Sequence, residues 1–461
     1  MRVLVALTLA AVVWAQQPPS DSPVAIVRHI EAELASANVP GAAIAVISGD
    51  QILATAYGVA RAGAATPMTP LTLVHVGSLT KLFTAMAVTT ALKANNLPLQ
   101  TPVGKVKPEL SSRAAAATFH ELLAQTSGLS DRAGGDGSND ELALAGAARE
   151  IDDEEFILPA GEVFSYSNLG YALAGAGLEW IAKIGFADVL RMQVLRPLGM
   201  ERSTMRPSEA LSQAHATGHR IEKGKPVAID DHANDTRIWP AGYLWTNATD
   251  MSRAMSGLVN KGQVYGYDGL KPEVIEQVTT PHTPMPNIFV GGHYGYGLMI
   301  ARDRGALVYE HGGTLPGFSS ILRIAPERRV GIAILTNLDN APLRRIAQVV
   351  VARALGLPDA PPAARNESVV TVEEMKPLLG RYENRGTAEL AERDGKVVFI
   401  LDGGPPLAVS RLDEHRYLAR PKPDMPGPEF VLQPATASSP AYLHFALWAY
   451  VRRDESDRGG K

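Results

Sequence analysis

A chain of 461 residues, 46% hydrophobic and 20% charged, has the composition of a globular protein with two or three folding units. Its formal net charge of −4, with no Lys/Arg run, gives no sign of a nucleic-acid partner or a basic membrane-binding face. The absence of cysteine excludes disulfides, thiolate metal sites, a cysteine nucleophile and a lipidated N-terminal cysteine.

In chain order, Met1-Arg2 and an apolar run from Val3 to Val13 lead into Val13-Trp14-Ala15. One basic residue, a short apolar core and a small residue at the end read as a signal peptide over residues 1–15, cleaved after Ala15. The run is well short of the ~20 residues that span a bilayer, so no membrane span is expected in the mature protein. Loss of Arg2 would take the formal charge from −4 to −5. The expected location is periplasmic or secreted.

Residues 20–357 read as one domain. A helix is predicted over Val24–Ala37, then a hairpin of Gly41–Ser48 and Gln51–Tyr57 around Gly49-Asp50. A long helical middle follows, with helices at Leu79–Ala94, Phe119–Thr126, Tyr171–Ile184 and Thr249–Val259. Strands return at Gly297–Ala301, Leu307–Glu310, Ser319–Ala325 and Val330–Thr336, before a helix at Leu343–Leu355. Strands, helices, then strands again predict an α/β (α+β) sandwich: an antiparallel sheet built from both ends of the domain, flanked by helices, with a helical insertion. Residues 358–368 form a proline-rich linker. Residues 369–453 carry short β-prone pieces, at 396–401, 407–412, 417–420, 430–433 and 444–451, and predict a small all-β domain, sandwich or barrel. Residues 454–461 form a polar tail.

Ser78-Leu79-Thr80-Lys81 carries the chemistry. A serine hydroxyl needs a base within hydrogen-bond reach, and three residues is one helical turn. Burial would favour a neutral lysine amine, and the helix start would offer the Ser78 N–H to an oxyanion. Ser-x-x-Lys is common by chance, so its company matters. Tyr166-Ser167-Asn168 lies in a polar loop before an apolar helix; its tyrosine can relay a proton and its asparagine can orient lysine and substrate. The same spelling recurs as Tyr382-Glu383-Asn384, which reads as a decoy. His311-Gly312-Gly313-Thr314 lies between two predicted strands, where glycine allows a substrate to lie close and the Thr314 N–H supplies a second oxyanion donor.

These three elements, in this order, resemble the serine β-lactamase and penicillin-binding-protein family, with class C β-lactamases, D,D-carboxypeptidases and related esterases nearest in pattern. Leu122–Leu129, Pro240–Thr246 and Leu335-Thr336-Asn337 resemble further family segments. The resemblance implies Ser78 as nucleophile, Lys81 alone or with Tyr166 as proton acceptor, and Asn168, His311, Gly313 and Thr314 as substrate and oxyanion contacts. It implies a small-molecule or peptidoglycan-derived substrate and no cofactor or metal, and leaves the oligomeric state open. The family's Lys-Thr-Gly is here His311-Gly312-Gly313. A histidine near its ordinary pKa of ~6.5 is largely neutral at pH 7, so ester or D-amino-acid peptide hydrolysis is favoured over β-lactam hydrolysis. The C-terminal domain resembles the lipocalin-like appendage of some relatives.

Rival readings are a true class C-type β-lactamase and a receptor that binds penicillin or peptidoglycan without turnover. An α/β-hydrolase would need Gly-x-Ser-x-Gly, which is absent. His215 and His219 have metal-like spacing, but Gly218 interrupts any helix, so both are expected in a loop.

Overall fold

The computed structural model describes residues 22–107, 109–131, 137–286, 291–358, 366–422 and 425–453. The expected signal peptide, the polar tail and most of the proline-rich linker lie outside them. Among the described residues no helix is long and apolar enough to cross a membrane.

The main sheet has eight antiparallel strands in the order Gln51–Gly58, Gly41–Ser48, Val330–Thr336, Phe318–Ala325, Ala306–Leu315, Met299–Asp303, His293–Tyr294 and Thr283–Pro284. The two ends of the domain meet where Gly41–Ser48 pairs with Val330–Thr336, with Ile44 opposite Ile334. Every residue of Gly41–Ser48 is buried. A strand turns successive side chains to opposite faces, and here alternate residues serve separate cores. Ala43, Ala45 and Ile47 pack with the helical middle, while Ala42, Ile44 and Val46 pack beneath the helices Pro23–Ser36 and Leu343–Ala354. Each buried Val or Ile contributes about 1.5–3 kcal/mol of transfer free energy.

The helix Thr80–Ala94 runs through the larger core and is buried on nearly all sides. It is entered by a 3₁₀ turn, Gly77–Leu79. Packed against it is Asn168–Ala182, whose N-cap Ser167 accepts a hydrogen bond from Gly170 N.

The C-terminal strands form a closed antiparallel barrel of eight, Gly380–Glu383, Thr387–Arg393, Lys396–Leu401, Leu407–Arg411, Arg416–Arg420, Glu429–Gln433, Tyr442–Phe445 and Trp448–Arg453. Ser368–Val369 adds a short outer strand, so Ser368 belongs to the barrel and not to the linker. Phe399, Phe430 and Tyr417 stack inside. The single strand expected at 444–451 is a hairpin that turns at Ala446, whose φ of 51° reverses the chain. The barrel is also no detached appendage: Ala449 and Val451 share a small core with Leu158 and Val163, and Leu447 packs with Phe164, Tyr294 and Met299.

Candidate active site

The 3₁₀ turn at Gly77 sets Ser78 against the strand Ala306–Leu315. Gly77 has φ of +52°, and a Cβ there would lie 2.7 Å from Thr314 N. A Cβ on Gly313 would lie 2.0 Å from Val76 O and 2.7 Å from Ser78 N. Both glycines are therefore required by backbone-to-backbone approach. Ser320 Oγ donates to Val76 O at 2.7 Å and ties the neighbouring strand to the same turn. The Ser78 and Thr314 amides thus sit side by side, where an oxyanion would lie.

Lys81 is fully buried, with Nζ 2.6 Å from Asn168 Oδ1, 2.6 Å from the Ala241 carbonyl and 3.2 Å from Ser78 Oγ. The first two partners only accept hydrogen bonds, so they take two N–H groups. The third direction meets the one partner able to donate. In the neutral amine that direction is the lone pair, and Ser78 donates into it. Burial lowers the Lys81 pKa to about 7, partly countered by the charge of Asp131. A usable fraction of the amine is therefore neutral at physiological pH.

Tyr166 and Asn168 flank the N-cap Ser167, so the loop caps its helix and presents two functional side chains together. Tyr166 lines the same cavity as Ser78, and Lys81 Nζ lies 4.6 Å from the centre of its ring. Burial pushes the phenol well above its ordinary pKa, so it is a proton carrier and not a phenolate.

His311 is buried, and its Nδ1 donates to the Gly312 carbonyl at 2.7 Å while Nε2 accepts from Tyr294 Oη at 3.2 Å. Burial, with the charge of Lys81, lowers its pKa to about 3. It is neutral throughout the working range.

Ser78, Tyr166, Asn168, His311, Gly313 and Thr314 all line one cavity of about 480 Å³. Lys81 stands behind Ser78. The seven expected site residues are therefore brought together. Three segments quoted from the sequence have supporting roles: Ala241 accepts from Lys81, Gln125 Oε1 accepts from Ser167 N, and Asn337 Nδ2 donates to Val59 O and Ala60 O. His219 is not in a loop; it lies on the strand Gly218–Glu222, with Nδ1 donating to Asn337 O and Nε2 accepting from Ala62 N. Each ring nitrogen already has a protein partner.

Sequence reasoning missed the far wall of the cavity. Leu447, Trp448 and Arg385 come from the barrel, and the Arg385 guanidinium stacks 4.5 Å from the Trp448 ring. Tyr166 N donates to Leu447 O at 2.9 Å, so the barrel hairpin also fixes the tyrosine loop. No local pattern announces this; a Trp in a β-prone piece ordinarily signals a core.

The beta-lactamase family profile matches residues 26–355. The chain belongs to the beta-lactamase family. The coarse chemistry that goes with membership is serine hydrolysis. The chain is 27% identical over 335 residues to protein flp of Staphylococcus aureus (strain MW2), covering 70% of this chain but 64% of that protein's length. It is 27% identical over 374 residues to penicillin-binding protein 4 of Amycolatopsis lactamdurans, covering 76% of this chain and 95% of that one. The crystal structure of SurE matches with a TM-score of 0.78 at 24% identity, over 93% of this chain and 99% of its own. An octameric penicillin-binding protein homologue from Pyrococcus abyssi matches with a TM-score of 0.65 at 24% identity over the same shares. At that identity the two structures speak for the fold alone.

Proposed function

We propose that this beta-lactamase family member is an exported acyl hydrolase that cleaves esters or D-amino-acid peptides through a Ser78 acyl-enzyme. The observation that carries the reading is Lys81 Nζ, whose two fixed acceptors leave its third direction to Ser78 Oγ. Ser78 Oγ forms a bond to the substrate carbonyl carbon as its proton passes to Lys81. The oxyanion rests on the Ser78 and Thr314 amides. When the bond to the leaving group breaks, the proton returns to that group through Tyr166, which stays protonated. Water then attacks the ester carbonyl carbon and gives up a proton to the same amine, which passes it to Ser78 Oγ as the acyl–oxygen bond breaks, restoring neutral Lys81 and the serine hydroxyl.

Neutral His311 supports the choice of substrate. It offers no fixed cation where the family's lysine would meet a β-lactam carboxylate. The export part of the reading rests on the apolar run before Ala15. The test is a panel of short-chain nitrophenyl esters, D-amino-acid peptides and nitrocefin on the wild type and on Ser78→Ala. Turnover of esters or D-peptides well above nitrocefin, all lost in a folded Ser78→Ala protein, is expected. Fast nitrocefin cleavage would identify a true β-lactamase, and a stable penicillin adduct without turnover would identify a receptor. Activity kept in Ser78→Ala would overturn the nucleophile.

A further inference from the structure

Asp131 belongs to none of the family motifs, yet it is buried and is joined to the catalytic lysine through a single intervening residue, Asn168. Its Oδ1 accepts from Asn168 N at 2.8 Å, and its Oδ2 accepts from Trp448 Nε1 at 2.9 Å and lies 3.4 Å from Asn168 Nδ2. Its own N–H donates to Asn384 Oδ1 at 2.8 Å. Asn384 Nδ2 in turn donates to Ala449 O at 2.9 Å and to Ser165 Oγ at 3.2 Å. The decoy Tyr382-Glu383-Asn384 is thus no second catalytic motif, but its asparagine pins the barrel to the loop that carries Asp131.

The carboxylate decides how the Asn168 amide lies. With Nδ2 facing Asp131, Oδ1 must face Lys81, where it accepts the 2.6 Å hydrogen bond. A flipped amide would set its oxygen against the carboxylate and its NH₂ against the amine. Trp448 Nε1 holds the carboxylate from the barrel side. A continuous path therefore runs from Trp448 through Asp131 and Asn168 to Lys81 and Ser78.

We propose that Asp131 is a positioning residue for acyl transfer, held by Trp448 and Asn384 of the barrel, that orients the Asn168 amide toward Lys81 and makes the barrel part of the catalytic apparatus. This rests on the Ser78–Lys81 reading given above. Burial raises the Asp131 pKa, while Lys81 and Arg385, the cations that face it, favour its ionised form. Tyr166 and Tyr450 also face it, and burial is the main cause that keeps their hydroxyls protonated, with a small contribution from Asp131. Facing Lys81 are Tyr166, Tyr171 and His311, with Asp131 the carboxylate that favours its ammonium form. A change to Asn keeps the size but removes the charge, and it places a donor either against Asn168 N or against both Trp448 Nε1 and Asn168 Nδ2.

The experiment is the pH dependence of the limiting rate at which an alkyl fluorophosphonate labels the full-length protein. In that step the Ser78 Oγ–P bond forms, P–F breaks, fluoride leaves and the proton goes to Lys81. Asp131→Asn is expected to label about 10- to 100-fold more slowly at pH 8. Its acid limb is expected to move to lower pH, because Lys81 loses the negative neighbour that favours its charged form. Trp448→Phe, which keeps the ring packing, is expected to be slower as well, and the double variant no slower than Asp131→Asn alone. Wild-type rates in Asp131→Asn, a slower rate with an unmoved acid limb, or fully additive losses with Trp448→Phe would each overturn the proposal. Should Asp131→Asn not fold, an unchanged Trp448→Phe rate would overturn it alone. Failure of the underlying reading looks different: the wild type itself would not be labelled at Ser78.

Discussion

The open sheet beside Ser78 has helices on both faces, so every position of Gly41–Ser48 is buried and alternate residues enter separate cores. The barrel closes around one core, and a strand such as Thr387–Arg393 buries only Ala388 and Leu390. A strand covered on both sides reads as a continuous apolar run, whereas a strand covered on one side alternates and can look like a loop. The two regions also divide the labour at the site. The open sheet and its helices supply the reacting groups, and the barrel supplies the far wall of the cavity through Leu447, Trp448 and Arg385.

The largest test of that division truncates the barrel core. Phe430 is fully buried between Phe399 and Tyr417, so Phe430→Ala is expected to cost about 3–5 kcal/mol. Because the Trp448–Arg453 strand carries part of the site, activity should fall together with the barrel's near-UV circular dichroism on heating. Activity that outlasts the barrel signal would show that the site does not depend on the barrel.

A smaller effect is expected at the seam between the regions. His444 Nε2 donates to Phe164 O at 3.1 Å, and burial lowers its pKa to about 4. The group must stay neutral to remain docked. Its stabilisation is complete above the unfolded value of ~6.5 and is lost as pH falls from there toward the folded value. The melting temperature should therefore drop less between pH 7 and 4.5 in His444→Gln than in the wild type. An equal drop in both would remove His444 from the seam's acid sensitivity.

The smallest effect is expected at His311. The acid limb of kcat/KM should lie near pH 7, where Lys81 gains its proton, while His311 stays neutral down to about 3. His311→Asn should leave that limb in place. A limb that moved would show that His311 titrates in the working range.

The open sheet was legible because its pattern is dense. The strand predicted at Val330–Thr336 coincides with the observed one, and the helix predicted at Leu343–Leu355 differs from the observed helix by one position. Gly380–Glu383 and Thr387–Arg393 were missed, since their polar outward residues carry no apolar run. The hairpin Tyr442–Phe445 and Trp448–Arg453 was read as one strand because only a positive φ at Ala446, unusual for that residue, breaks it. At the site, Ser78, Lys81, Tyr166, Asn168 and His311 announce themselves by spacing. Asp131 and Trp448 do not, because their meaning lies in a contact between residues 317 positions apart.

Gly77 and Gly313 have a consequence for how this sequence can drift. A Cβ on either would enter space that the other's backbone neighbourhood already fills, through Thr314 N on one side and Ser78 N on the other. Neither position can gain a side chain first and wait for the other to adjust, since the first step already forces the two amides apart. The pair is consequently a single locked contact: a side chain added at either glycine is expected to disturb the nucleophile's seat directly, with no flexible side-chain end there to give way.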